Sequence, residues 1–155
     1  WTYVCWEPGE PYLDLYINMT GLQNRLIFWQ NYSLSANGFL YWSSNYWNAV
    51  DDPWSDGATV KWLSGNVFGD GSVLYNGNKV GIDGPCSSLR LEQVRDGVDD
   101  FTYLSMLSDL GASDKTVSAL VKTVTSGLTD YTDNDELFYK NRIRMGQMLE
   151  KLANK

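Results

Sequence analysis

The sequence predicts an α/β fold: a partial (β/α)8 TIM barrel, about three parallel strands with crossover helices, followed by C-terminal helices. Three observations carry that expectation. Strand-like runs and amphipathic helical patterns follow one another in the order β-α-β-loop-β-α-α-α, the order that right-handed crossovers between parallel strands produce. The strand runs are apolar without strict polar alternation, as in parallel strands covered on both faces. Three strands in 155 residues make an incomplete sheet, since a closed barrel of this kind runs to ~250 residues. The chain is therefore expected to be the last part of a larger domain, and its start on Trp1, apparently inside a strand, points the same way.

The first strand is Trp1 to Trp6, β-branched and aromatic, and Glu7-Pro8-Gly9 ends it. Thr20-Gly21-Leu22-Gln23 has the spacing of a capping box, and Leu22, Leu26, Trp29 and Tyr32 or Ser33 then recur at helical period until Asn37-Gly38. The second strand, about Gly38 to Ser43, runs into a long polar loop with Asp51-Asp52-Pro53 and an expected helical turn around Ala58 to Leu63. Ser72 to Tyr75 is a third short strand, bounded by Gly71 and Asn76-Gly77. Ser87 or Ser88 caps a long helix with a stripe of Leu91, Val94, Val98, Phe101, Leu104 and Leu107 or Ser108, closed by Gly111. Two more amphipathic helices follow, about Ser113 to Ser126 with Val117, Leu120, Val121 and Val124 inward, and about Asp133 to Ala153 with Leu137, Met145, Met148 and Leu152 inward. Residues 1–110 are thus expected to form the barrel portion, and residues 111–155 a helical extension packed on it.

Seven Trp, ten Tyr and five Phe make the chain unusually aromatic for its length. The run from Gly38 to Asn48 begins as an apolar strand and continues into Trp42, Tyr46 and Trp47 interleaved with Ser and Asn. Flat rings stack on the C–H faces of a pyranose while amides and hydroxyls bond its hydroxyl groups, so the pattern fits a sugar-binding surface; it equally fits aromatic core beside a strand. In a barrel the loops after the strands carry the site, here Glu7 to Asp14, Ser44 to Lys61 and Asn76 to Pro85.

The net charge of −7, with no run of Lys or Arg, removes the basic footprint that nucleic acid or an anionic membrane requires. With no histidine, Ser-His-Asp and Cys-His machinery is ruled out, and no metal site or cofactor is expected. Cys5 and Cys86 lack CxxC spacing, and Cys5 reads as a small buried hydrophobe.

Any chemistry must come from carboxylates, Tyr or the thiols, and the carboxylates come first because glycoside hydrolysis needs a general acid. Glu7, directly after a strand and between Trp6 and Pro8, can bind a sugar hydroxyl or act as an acid, or it is a solvated loop residue. Asp51 and Asp52 before Pro53 read as turn chemistry, and Asp99 and Asp100 as a solvated helix face. Asp130, Asp133, Asp135 and Glu136 are explained by the dipole at a helix N-terminus, without the glycine of a calcium loop. The glycine-rich run from Gly65 to Gly84 lacks phosphate-loop spacing. Arg90 is expected to be structural, with Arg95 and Asp96 pairing to hold the long helix, while Tyr75, at the end of the third strand, either reaches a reacting centre or packs in the core.

Taken together, Trp1-Thr2-Tyr3-Val4-Cys5-Trp6, Asn24-Arg25-Leu26-Ile27-Phe28-Trp29-Gln30, Gly38-Phe39-Leu40-Tyr41-Trp42-Ser43 with Tyr46-Trp47, Gly69-Asp70-Gly71-Ser72 with Leu74-Tyr75, and Ser88-Leu89-Arg90-Leu91-Glu92 with Arg95-Asp96-Gly97 look like one family. Over about residues 1 to 110, and more loosely beyond, the chain resembles the C-terminal part of the glycoside hydrolase family 123 catalytic domain and its uncharacterised relatives. The resemblance implies a (β/α)8 barrel acting as a retaining exo-β-N-acetylgalactosaminidase, with the substrate's 2-acetamido group as nucleophile and an adjacent Asp-Glu pair doing the acid-base work. In that family the pair sits on a mid-barrel strand, upstream of the point where this chain begins. Asp135-Glu136 falls in the wrong place for it, so no residue here is expected to be catalytic.

The expected sugar surface is Trp6, Glu7, Trp42, Tyr46, Trp47 and Tyr75, and the expected ligand an N-acetylhexosamine-type glycan. The isolated chain is expected to be inactive. The alternatives are a non-catalytic carbohydrate-binding domain, or a structural half-barrel that self-associates or joins a missing N-terminal half through its open sheet edges.

Overall fold

Each of the four α-helices among the described residues starts at a side chain that holds one of its first free N–H groups. The computed structural model describes residues 1–47, 50–57 and 68–154. The expected turn at Ala58 to Leu63 lies outside them. Elements in chain order are β1 (Thr2–Val4), α1 (Gly21–Ser33), β2 (Phe39–Tyr41), β3 (Leu74–Asn76), a 3-10 turn (Gly77–Val80), β4 (Pro85–Ser87), α2 (Leu89–Asp109), α3 (Asp114–Lys122) and α4 (Asp135–Ala153). The architecture is mixed α/β, with few short strands and four α-helices among the described residues.

At α1 the reciprocal capping box forms as the sequence predicts: Gln23 N–H donates to Thr20 Oγ1 (3.2 Å) and Thr20 N–H to Gln23 Oε1 (2.8 Å). Ser88, Ser113 and Asn134 cap the other three helices.

β1 and β2 pair in parallel, Thr2 with Phe39, Tyr3 with Leu40 and Val4 with Tyr41, and α1 is the crossover between them. Thr2 donates its hydroxyl to Asn31 of α1 (2.7 Å), and Phe39 meets Phe28 edge to face at 5.1 Å. On the opposite face Tyr3 and Leu40 remain about half exposed, whereas the run of apolar residues predicts cover on both sides.

The third strand does not extend this pair. The glycine-rich segment after it folds back, with Gly77 N–H donating to Gly84 O (2.9 Å) and Ile82 N–H to Gly77 O (2.9 Å). A Cβ on Gly77 would sit 2.6 Å from Gly84 O, so the turn closes only with glycine there. Pro85–Ser87 therefore lies antiparallel to β3, a strand too short and too proline-marked to be seen in the sequence.

α1 is buried on nearly all sides, and each of its buried polar groups finds a partner. Asn24 donates to Asp14 O (2.7 Å), and Gln30 to Gly127 O (3.0 Å) and Leu128 O (3.2 Å). α2 crosses α1 at Gly97, where an added Cβ would be 2.5 Å from the Phe28 ring. That approach centres the inward arc of α2 on Gly97, Asp100, Leu104 and Leu107. Val98, expected inward, stands about 100° round the helix from Gly97 and is 45 % exposed.

Asp100, read from sequence as solvated, is fully buried instead. It accepts from Arg25 Nε (2.6 Å) and Nη2 (2.9 Å), Trp29 Nε1 (3.0 Å) and Arg142 Nε (2.8 Å), joining α1, α2 and α4. The sequence cannot show this, because the partners lie 75, 71 and 42 residues from Asp100 along the chain. Asp99 is exposed, and Arg95 is an exposed residue paired with Glu92 and Asp96, so it does not hold the helix against the sheet.

α3 buries Val117, Leu120 and Val121, with Val124 after it, as expected. In α4 the buried residues are Phe138, Asn141, Met145 and Leu149. Phe138 takes the place expected of Leu137, because its ring packs edge-on against Trp29 at 5.6 Å and under the Arg25 guanidinium at 5.0 Å.

Candidate functional site

Because β1 and β2 are parallel, the loops that follow them leave the sheet at the same end. After β2 the chain is tied to the segment before β3: Val73 and Leu74 N–H both donate to Ser44 O (2.9 and 2.8 Å), and Tyr46 N–H donates to Gly71 O (2.8 Å). Three of the expected sugar-surface aromatics sit on this frame. Trp42 and Tyr46 have ring centroids 4.8 Å apart, and Trp47 is anchored by its Nε1 to Leu74 O (3.0 Å). Ser72 donates its hydroxyl to Tyr46 O (2.6 Å), fixing the backbone beneath that ring.

The indole of Trp42 is held from behind by a residue the sequence reading did not single out. Its Nε1 donates to both carboxylate oxygens of Asp70, at 3.1 Å each, and Tyr41 donates its hydroxyl to Asp70 Oδ1 (3.0 Å). Gly71 N–H in turn donates to the Tyr41 hydroxyl (2.7 Å). Gly71 adopts φ +71°, and a Cβ there would lie 2.4 Å from the Trp42 ring. Only glycine lets the turn and the indole meet. From sequence, Asp70 between two glycines reads as ordinary turn chemistry, so nothing local marks its burial.

Tyr75 is buried, not an exposed phenol, and accepts a bond from Arg90 Nη2 (3.0 Å). Its ring lies 4.9 Å from that of Trp54, whose Nε1 donates to Asn76 O (2.9 Å). Trp54 is thus a further aromatic packed beside Tyr75, one that nothing in the sequence marks out. Lys79 pairs with Asp52 at 3.2 Å, and Asp52 also accepts Trp54 N–H (3.1 Å), the turn chemistry expected of it.

Arg90 binds backbone. It donates to the carbonyls of Leu15, Gly69 (2.8 Å) and Ser72, and so laces the β1 loop to the turn that carries Asp70. Ile17 N–H donating to Phe68 O (2.9 Å) adds a second stitch.

Trp6 and Glu7 lie on the loop after β1, both exposed, at the same end of the sheet as the loop after β2. Cys5 is half-buried beyond the end of β1, not a core residue, and its thiol is directed at Glu7 O (3.6 Å). Further along this loop Asp14 is buried at 1 % exposure. Its Oδ1 accepts Leu15 N–H (2.6 Å), while Oδ2 has no hydrogen-bond partner. Burial pushes this carboxyl up to about 7, and the charge of Asp70 adds to the rise. Burial also raises Asp70, opposed by the bonds from Trp42 and Tyr41 and by Arg90.

A cleft of about 570 Å³ between α1, α2 and α3 opens near Ser35 and Asn37, at the C-terminal end of α1, and none of Trp42, Tyr46, Trp47 and Tyr75 lines it. Among the described residues no group of three or more acidic or thiol side chains could hold a metal ion, and no helix is long and apolar enough to cross a membrane. Asp130, Asp133, Asp135 and Glu136 are exposed, the last two in the first turn of α4, as the helix-dipole reading expects.

No curated protein matches the chain. The model of the family described as "Glycoside hydrolase 123, catalytic domain" matches residues 1–107. That span runs from β1 through most of α2. By that match, the chain belongs to the glycoside hydrolase 123 catalytic-domain family.

Proposed function

We propose that this chain is the substrate-lining part of a (β/α)8 glycosidase domain, with residues 111–155 as a helical extension packed on it, and that its aromatic wall receives an N-acetylhexosamine-type sugar. The observation that carries the reading is the indole of Trp42, fixed by two bonds to a buried carboxylate with Tyr46 beside it. A pre-set ring loses little entropy on stacking against a pyranose. Trp42, Tyr46 and Trp47 form the wall, with Tyr75 buried at β3 rather than facing the sugar, and Trp6 and Glu7 on the neighbouring loop. In the parent enzyme the reaction is the retaining, substrate-assisted removal of a terminal β-N-acetylgalactosamine, and the Asp-Glu pair it needs has no counterpart among the wall residues. The isolated chain therefore binds without hydrolysing.

Titration with N-acetylgalactosamine, followed by tryptophan fluorescence, should give a saturable change. Trp42→Ala should weaken it at least tenfold, about 1.4 kcal/mol. No saturable change up to tens of millimolar, or unaltered affinity in the variant, would count against the wall.

A second reading is supported by Trp1, Tyr3 and Leu40, at 84, 52 and 44 % exposure beside or on one bare sheet face. Burying that face by self-association gives the half-barrel a purely structural role. Sedimentation should then show a dimer or larger species that Tyr3→Lys with Leu40→Lys returns to monomer; a monomer at every concentration excludes it.

A further inference from the structure

Two buried carboxyl groups stand behind the aromatic wall, and they are unequally served. Asp70 accepts from Trp42 and Tyr41, and Arg90 favours its charge. Asp14 has one backbone donor on Oδ1 and nothing on Oδ2. Tyr16, whose phenol faces Asp14, donates instead to Cys5 O (2.8 Å). Arg90, bonded to the carbonyls of Leu15 and Gly69, and the Ile17–Phe68 bond fasten together the two segments that carry these carboxyls, and the charge of Asp70 is felt at Asp14. Like charges buried in one site do not both ionise cheaply, and the proton stays on the group with fewer donors.

We propose that Asp14 is a proton-controlled positioning residue for the wall: neutral, it leaves Asp70 to carry the charge and grip Trp42 and Tyr41, whereas ionised it sets a second charge against Asp70 and loosens the indole. Among the described residues, the titratable and charged groups that interact with the pair are Tyr3 on β1, Tyr16 on the segment of Asp14 itself, Tyr41 on β2 and Arg90 on α2. Arg90 is the only cation among these, and its guanidinium is directed at three carbonyls and the Tyr75 hydroxyl rather than at Asp14. The rise of the Asp14 carboxyl to about 7 puts the change at neutral pH. The consequence for sugar affinity rests on the sugar-wall reading; the change at Trp42 does not.

The test separates the two. Near-ultraviolet circular dichroism of the free chain, with the Trp42→Phe spectrum subtracted, isolates the indole, and its signal should titrate with a midpoint near 7 and become flat in Asp14→Asn. A flat wild-type signal, or the same titration in the variant, overturns the proposal. If Asp14→Asn does not fold, carbon-13 NMR of aspartate carboxyls in the wild-type chain serves instead: one should titrate between about pH 6 and 8, and none doing so above about pH 5 overturns it. In the sugar arm, N-acetylgalactosamine should bind at least about fivefold more weakly at pH 8 than at pH 6. Equal affinity at both refutes the link to binding. Absence of binding at both, with the indole still titrating, removes the sugar reading and upholds the switch.

Discussion

Replacing Asp100 by Ala should remove about 3–5 kcal/mol, much of the 5–15 kcal/mol that holds a typical domain together. Asp100 is fully buried and is the common acceptor for Arg25, Trp29 and Arg142. Deleting it leaves Arg25, only 6 % exposed, as a charge inside the protein with Asp96 at 3.5 Å as its remaining ionic partner. The loss reaches three helices at once. Asp100→Asn keeps the shape and one acceptor and should fall between wild type and Ala. Urea unfolding followed by circular dichroism measures both, and a loss below about 1 kcal/mol for Ala would mean that the guanidinium groups reach water.

The second large effect has the opposite sign. Asp14→Asn should stabilise the chain at pH 8 by up to ~4 kcal/mol and leave it unchanged below about pH 4. The wild-type carboxyl is raised from 3.8 to about 7, mainly by burial. Between those values the folded chain keeps a proton that the unfolded chain gives up, so wild-type stability falls as pH rises through that window and levels off above it. The variant has no such group, and its amide oxygen can still accept Leu15 N–H. The gap between the two stability curves should therefore open from about pH 4 and be complete by about pH 8. Parallel curves across that range would show that Asp14 ionises as it does in water.

The two residues differ in how far the sequence reveals them. Asp14 stands in Tyr-Leu-Asp-Leu-Tyr, an acid inside an apolar run, which marks it as unusual without saying what faces it. Asp100 looks like any acid on a helix, beside an Asp99 that is solvated. One residue of rotation separates the two, and α1 closing on Gly97 decides which of them goes inward. The same closeness displaces Val98 from the stripe expected of it, and the Trp29 ring selects Phe138 over Leu137 in α4.

The sequence by itself determined what depends on neighbours along the chain: the four helices, the caps of the first two, the parallel first pair of strands and the family. Those features follow from propensity, periodicity and hydrogen bonds across three or four residues. Tertiary structure alone decided the antiparallel return of Pro85–Ser87, the burial of Asp100 and the setting of Trp42 on Asp70. The last of these joins groups 28 residues apart, and a partner at that distance is chosen by which surfaces meet when the core closes. Local pattern placed the aromatic rings after a strand; the turn at Gly69–Gly71 gives one of them a fixed direction.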